Sequence, residues 1–179
     1  MKKNSLFAFA FIITLFVSCD KEENSENDLT EISAKIVGDW NLVGYDVVDG
    51  LISTSIEGMD FSFPTTITGK EYDASLSFSK TPNKYTSSGS FVVLVEFEIQ
   101  GQSYSQEETI EDFIADGEWA LEEGGLLIVI TEGEEAAYTI KTLTDTSFVL
   151  EYNLKLNQEI DGVAFTTTGT YTMTLEKNK

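Results

Sequence analysis

Phe148-Val149-Leu150-Glu151-Tyr152-Asn153-Leu154-Lys155-Leu156 decides the fold. Every even position in this stretch is large and apolar, while Glu151, Asn153 and Lys155 face the other way. A repeat of two is the signature of a strand with one buried face. The same period runs outward in both directions. Val163, Phe165, Tyr171, Met173 and Leu175 share one face of the last segment, interrupted by Thr167 and Gly169. Thr166, Thr168, Thr170, Thr172 and Thr174 form a β-branched polar row on the other, suited to water. Tyr72, Ala74, Leu76 and Phe78 alternate with Asp73, Ser75 and Ser77, and Phe91, Val93, Val95, Phe97 and Ile99 share a face.

Turn signals separate these runs: Asp49-Gly50, Thr81-Pro82-Asn83-Lys84, Gln100-Gly101, Glu123-Gly124-Gly125, Thr144-Asp145 and Asp161-Gly162. The Asp-Gly pairs predict tight hairpins, because such turns need positive φ. Eight to ten strands follow, nearly all joined by short turns. A meander of that length with one apolar face buries it by closing into a barrel, which also removes its open edges. Asp28-Leu29-Thr30-Glu31 fits a capping box and starts a short helix, with Leu29, Ile32 and Ile36 on one side and Gly38 at its end. Two turns of helix are marginal alone, so this piece is expected to dock across one end of the barrel.

Ile36-Val37-Gly38-Asp39-Trp40-Asn41-Leu42 reads as helix, then Gly-x-Trp, then first strand. It resembles the opening motif of lipocalins. A second Gly-x-Trp start, Gly117-Glu118-Trp119, precedes Leu126-Leu127-Ile128, and Tyr138-Thr139-Ile140 and Phe148-Val149-Leu150 supply closing apolar strands. That order is similar to the lipocalin-like lipoproteins of Bacteroidota-type bacteria, and the resemblance covers residues 31–179. It implies an all-β, lipocalin-like up-and-down meander barrel with a short N-terminal helix. Trp40 and Trp119 read as structural plugs of the barrel floor, each seeking a partner for its indole N–H. Many lipocalins pack an Arg on the first Trp. This chain has no Arg, so a lysine takes that place or the contact is missing.

The N-terminus speaks to location. Met1-Lys2-Lys3 is positive, Leu6 to Val17 is almost unbroken apolar, and small Ser18 precedes Cys19, the only cysteine. This is the order of a secretory signal peptide over residues 1–18. The apolar run reaches about 18 Å as a helix, short of a hydrocarbon core of about 30 Å. Phe16-Val17-Ser18-Cys19 resembles a bacterial lipobox, which implies cleavage before Cys19 and acylation of its sulfur. Asp20-Lys21-Glu22-Glu23 resembles the surface-export signal of the same bacterial group. It implies an outer-membrane protein displayed at the cell surface; otherwise the acids are a solvated spacer on the periplasmic face. Residues 19–30 read as the lipidated end and an acidic, disordered tether.

Composition narrows the chemistry. All 31 acids lie after Ser18, and nine of the 11 lysines do, so the chain from Cys19 onward carries a formal charge of −22. There is no Arg and no His. The acidity excludes a nucleic-acid footprint. Without His the commonest general base and metal ligand are missing, so no catalytic residue, metal site or cofactor is expected. The acid groups at Glu107-Glu108, Glu111-Asp112, Glu118, Glu122-Glu123, Glu132 and Glu134-Glu135 sit near turn signals and read as solvated surface.

What remains is the interior. About eight strands enclose a space just wide enough to be filled by side chains or to hold one small ligand. The inward set is rich in rings: Phe78, Phe97, Tyr152, Phe165 and Tyr171, with Tyr72 and Phe148. Two functions follow. The first is non-catalytic binding of a small apolar or amphipathic molecule by Phe78, Phe97, Tyr152, Phe165 and Tyr171. The second is a filled barrel that binds a protein or glycan partner through its surface. A cavity on the order of 300 Å³ open at one end favours the first, and a packed interior with an exposed apolar patch favours the second.

Overall fold

A computed structural model of the chain describes residues 22–99, 101–111, 113–160 and 162–178. Residues 1–18 read as a signal, Cys19 read as its lipid acceptor, and the first two residues of the expected tether lie outside the described residues. One helix, α1 (Glu22–Ile36), precedes nine antiparallel strands: β1 (Gly38–Ile56), β2 (Met59–Lys80), β3 (Asn83–Ile99), β4 (Gln102–Glu111), β5 (Gly117–Glu122), β6 (Leu126–Thr131), β7 (Glu134–Leu143), β8 (Ser147–Ile160) and β9 (Val163–Lys177). Residues 22–30 are therefore helical rather than a disordered tether. Asp28, read as the cap, lies inside α1 rather than at its start.

The strands run in the order β2-β1-β9-β8-β7-β6-β5-β3-β4, and β2 also pairs with β3. This closes a ring of eight strands, with β4 outside it as a branch. The barrel has two storeys. In the lower one, β3 joins β5 through Lys84 and Tyr85, and β5, β6 and β7 complete the wall to β8. In the upper one, β5–β7 have ended. There β3 pairs instead with β4 from Ser90 to Ile99, and β8 above Glu151 pairs only with β9. Three long hairpins, β1–β2, β3–β4 and β8–β9, thus rise above a short wall and leave one end open.

Asp49-Gly50 does not form the expected hairpin turn. The chain continues through it as β1, with a bulge between Val48 and Leu51 and Asp49 at φ 52°. Positive φ serves a bulge as well as a turn. Gly50 is fixed by space, since a Cβ there would lie 2.4 Å from the Thr65 carbonyl oxygen. The turns between β1 and β2 and between β6 and β7 fall at Glu57-Gly58 and Glu132-Gly133, all four residues at positive φ as a type I′ loop needs. The turns after β2, β3, β5, β7 and β8 lie where the sequence signals them, whereas the link between β4 and β5 follows none of those signals.

The floor is the tightest part. Trp40 and Phe148 are fully buried, with ring centroids 5.4 Å apart, and Phe78 packs on both Phe148 and Trp119. Helix α1 packs across this end against β5 and β7, as expected. Its last turn is held from below. The Trp40 indole donates to the Ile36 carbonyl at 2.7 Å, and Lys177 Nζ donates to the Val37 carbonyl at 2.6 Å and the Lys35 carbonyl at 3.3 Å. Carbonyls left over at a helix C-terminus need such donors, and the dipole favours a cation there. Lys177 Nζ also stands 4.4 Å above the centre of the Trp40 ring, a cation–π contact. A lysine from the last strand thus takes the place that an arginine holds in many lipocalins. Gly38 is required at this junction because its φ of 127° lies in the region that favours glycine.

Candidate functional site

The inward rings divide by height. Phe78 lies in the floor, 4% exposed and enclosed by Tyr85, Trp119 and Phe148. Trp119 donates its indole N–H to the Ser79 carbonyl at 2.8 Å, so both tryptophans have the structural partners expected of floor plugs. Tyr171 and Tyr152 sit at mid-height. Tyr171 packs on Tyr45 (4.7 Å) and Tyr138 (6.5 Å), Tyr45 on Phe91 (4.8 Å), and Tyr152 on Tyr138 (5.2 Å). These rings and Phe113, edge-on to Phe91, form a layer that separates the floor from the open end. Phe97 and Phe165 alone of the five stand above it.

Burial in the aromatic layer acts on the phenols. It pushes the Tyr138 hydroxyl up to about 12 and that of Tyr171 well above the ordinary 10.0, the neighbouring tyrosines adding to both effects. A phenol whose pKa is raised on folding contributes stability that is complete below the unfolded value and is lost as pH rises through the folded one. Unfolding free energy is therefore expected to fall by about 2–3 kcal/mol between pH 10 and 12 from Tyr138 alone. Urea unfolding across that window, with phenolate absorbance recorded in parallel, checks this. A flat stability up to pH 12 would show that the layer is hydrated.

Above the layer is a hollow of about 270 Å³, lined by Ile52, Phe63, Phe97, Ile99, Gln158, Phe165 and Thr167. The register explains why these residues meet. Ile52 lies opposite Phe63 on one side and Thr167 on the other, and Phe165 lies opposite Gln158. Because the side-chain period is two, each pairing keeps the partners on one face. Tyr104 of β4 stacks on Phe97 at 5.6 Å and extends the aromatic surface outward. The polar groups at the hollow are the Gln158 amide and the Thr167 hydroxyl. Sequence reading placed Ile99 on the Phe97 face but did not single out Ile52, Phe63, Gln158 or Tyr104. The alternation of Met59-Asp60-Phe61-Ser62-Phe63 was a readable signal for Phe63, whereas membership of Gln158 depends on register.

A larger depression of about 670 Å³ lies on the flank, where β1 and β2 separate between Asn41 and Asp46. Asn41, Asp73, Ser75 and Ser88 contribute to its lining, and the Ser75 and Ser88 hydroxyls bond to each other at 3.0 Å. It is a largely polar groove in the wall with no ring but Tyr72 along it, so the apolar hollow is the better site despite its smaller volume. The acids read as surface are exposed where described: Glu107, Glu108 and Glu111 on β4, Glu118 and Glu122 on β5, Glu123 after it, and Glu132, Glu134 and Glu135 about the β6–β7 turn. Among the described residues no group of three or more acids is arranged to hold a metal ion.

No curated protein and no solved structure matches the chain significantly. A family model described as a lipocalin-like domain matches residues 36–150, from the end of α1 through the floor tryptophans into β8, and the chain belongs to that family.

Proposed function

We propose that the chain is a lipid-anchored, surface-displayed lipocalin-like protein that binds a small apolar or amphipathic molecule, without a chemical step, at the open end of its barrel. The observation that carries this reading is the hollow framed by Phe63, Phe97, Ile99 and Phe165, apolar and unfilled above a packed aromatic layer. At about 270 Å³ it is small for a ligand pocket. It suits one apolar tail or ring, with the rest of the ligand lying along Tyr104 and the hairpins. The floor and middle of the barrel take no part, since Phe78 and Tyr171 are buried among other rings. Titration with a naphthalene-class fluorescent probe tests the reading: saturable enhancement with a 1:1 endpoint supports it, and a linear response up to the solubility limit overturns it.

A second reading has its own support. Ile56 (44% exposed), Met59 (59%), Phe61 (38%) and Tyr104 (44%) present apolar surface around the same end. Such a patch suits a protein or glycan partner closing over the barrel mouth. In that case the probe would bind weakly and be displaced by no small amphiphile.

The anchor is proposed from residues 1–23. Two acyl chains hold a protein where one does not, at about 0.8 kcal/mol per buried methylene. Cys19→Ser is expected to move the protein from the detergent phase to the aqueous phase or to leave the precursor unprocessed. Unchanged partition of a processed variant would rule out the lipid. Protease treatment of intact cells separates surface display from the periplasmic face.

A further inference from the structure

The three hairpins that frame the open end share a charge pattern. Among the described residues, 53–63 hold Glu57 and Asp60, 94–106 hold Glu96 and Glu98, and 157–167 hold Glu159, and no lysine occurs within these stretches. Most of the described lysines gather at the other end; an exception is Lys155, exposed on β8 opposite Thr168, just below the hollow. Lys35 closes α1, Lys80 and Lys84 flank the β2–β3 turn, Lys141 is low on β7, and Lys177 lies over the Trp40 ring. Lys70, between the two ends, is paired with Glu107. One further carboxylate, Glu108, is on the inner face of β4, in register with the inward Val93.

We infer that the hollow takes a cationic amphiphile, a protonated or quaternary amine on an apolar tail. This rests on the proposed binding at the barrel mouth and specifies its ligand class. The tail fills the space between Phe63, Phe97 and Phe165, and the cation stays at the rim, where Glu57, Asp60, Glu96, Glu98 and Glu159 outnumber the one nearby lysine, Lys155. Low-dielectric walls focus the field of such a rim, raising the local concentration of cations and lowering that of anions. The exposed face of the Phe97–Tyr104 stack offers the same head group a π-surface, which favours weakly hydrated cations. An anionic tail such as a fatty acid would meet repulsion at every hairpin.

The test uses three probes with the same ten-carbon tail, below their micelle concentrations: decyltrimethylammonium, decyl maltoside and decanoate, titrated calorimetrically into the purified protein. The expected order is ammonium, then maltoside, then decanoate, with about a tenfold gap between cation and anion that narrows as salt rises. Neutralising the rim with Asp60→Asn, Glu98→Gln and Glu159→Gln is expected to close most of that gap and leave maltoside affinity unchanged. Neutralising three acids at the floor end, Glu118→Gln, Glu122→Gln and Glu176→Gln, is expected to leave the gap intact. Equal affinities, tighter decanoate, or equal effects of the two triple variants would overturn the inference while maltoside binding keeps the site. Binding of none of the three would overturn the site itself.

Discussion

Replacing Phe97 and Phe165 together by alanine is expected to weaken binding of an apolar probe by about a hundredfold while leaving the fold intact. Each ring presents a largely apolar face to the hollow, and losing that contact costs about 1.5 kcal/mol per ring. Two such losses make about 3 kcal/mol, or about a hundredfold in affinity. The fold survives because both residues are only partly buried and lie above the layer that closes the core. Fluorescence titration of the variant and the parent reads the affinity, and circular dichroism with a thermal melt checks the barrel. Tyr171→Phe serves as the control, since its ring packs on Tyr45 and Tyr138 below the hollow. If the double variant binds like the parent while Tyr171→Phe does not, the ligand lies deeper in the barrel than proposed.

Trp40→Ala is expected to be the most destabilising single change, removing about 4 kcal/mol of a total that is about 5–15 kcal/mol for a domain of this size. The indole is fully buried against Phe148 and carries Lys177 on its face. Its removal leaves a cavity in the floor, orphans the Ile36 carbonyl and strips the ammonium of its π-partner. Lys177→Ala separates the contributions. It keeps the ring but removes the donors to the Val37 and Lys35 carbonyls, and is expected to cost about 1–2 kcal/mol and to loosen α1. Urea denaturation measures both, and far-ultraviolet dichroism follows the helix. A Trp40→Ala loss below about 1 kcal/mol would mean the floor repacks and the tryptophan is not its plug.

The aromatic layer explains why one family of inward residues has two fates. Phe78, Tyr152 and Tyr171 alternate along their strands in the same way as Phe97 and Phe165. Only the height at which the short wall ends decides which rings meet others and which meet open space. A filled interior and an apolar mouth are therefore both present in this barrel, one above the other.

Period-two alternation was enough to give the strands, the direction in which Phe148, Leu150, Phe165 and Tyr171 point, and hence an all-β barrel, because side-chain direction in a strand is a local property. Gly38 and Trp40 marked the first strand for the same reason: a positive φ and a large buried ring are demands of a single position. What the chain order left open was every feature that depends on which strand lies beside which. Asp49-Gly50 carries the local chemistry of a turn, yet its neighbours β2 and β9 hold it straight as a bulge. Lys177 stands 137 residues from Trp40 in sequence and meets it because β9 pairs with β1. Gln158, Ile52 and Phe97 come to one hollow through three separate registers, and such long-range pairings leave no trace in any one segment.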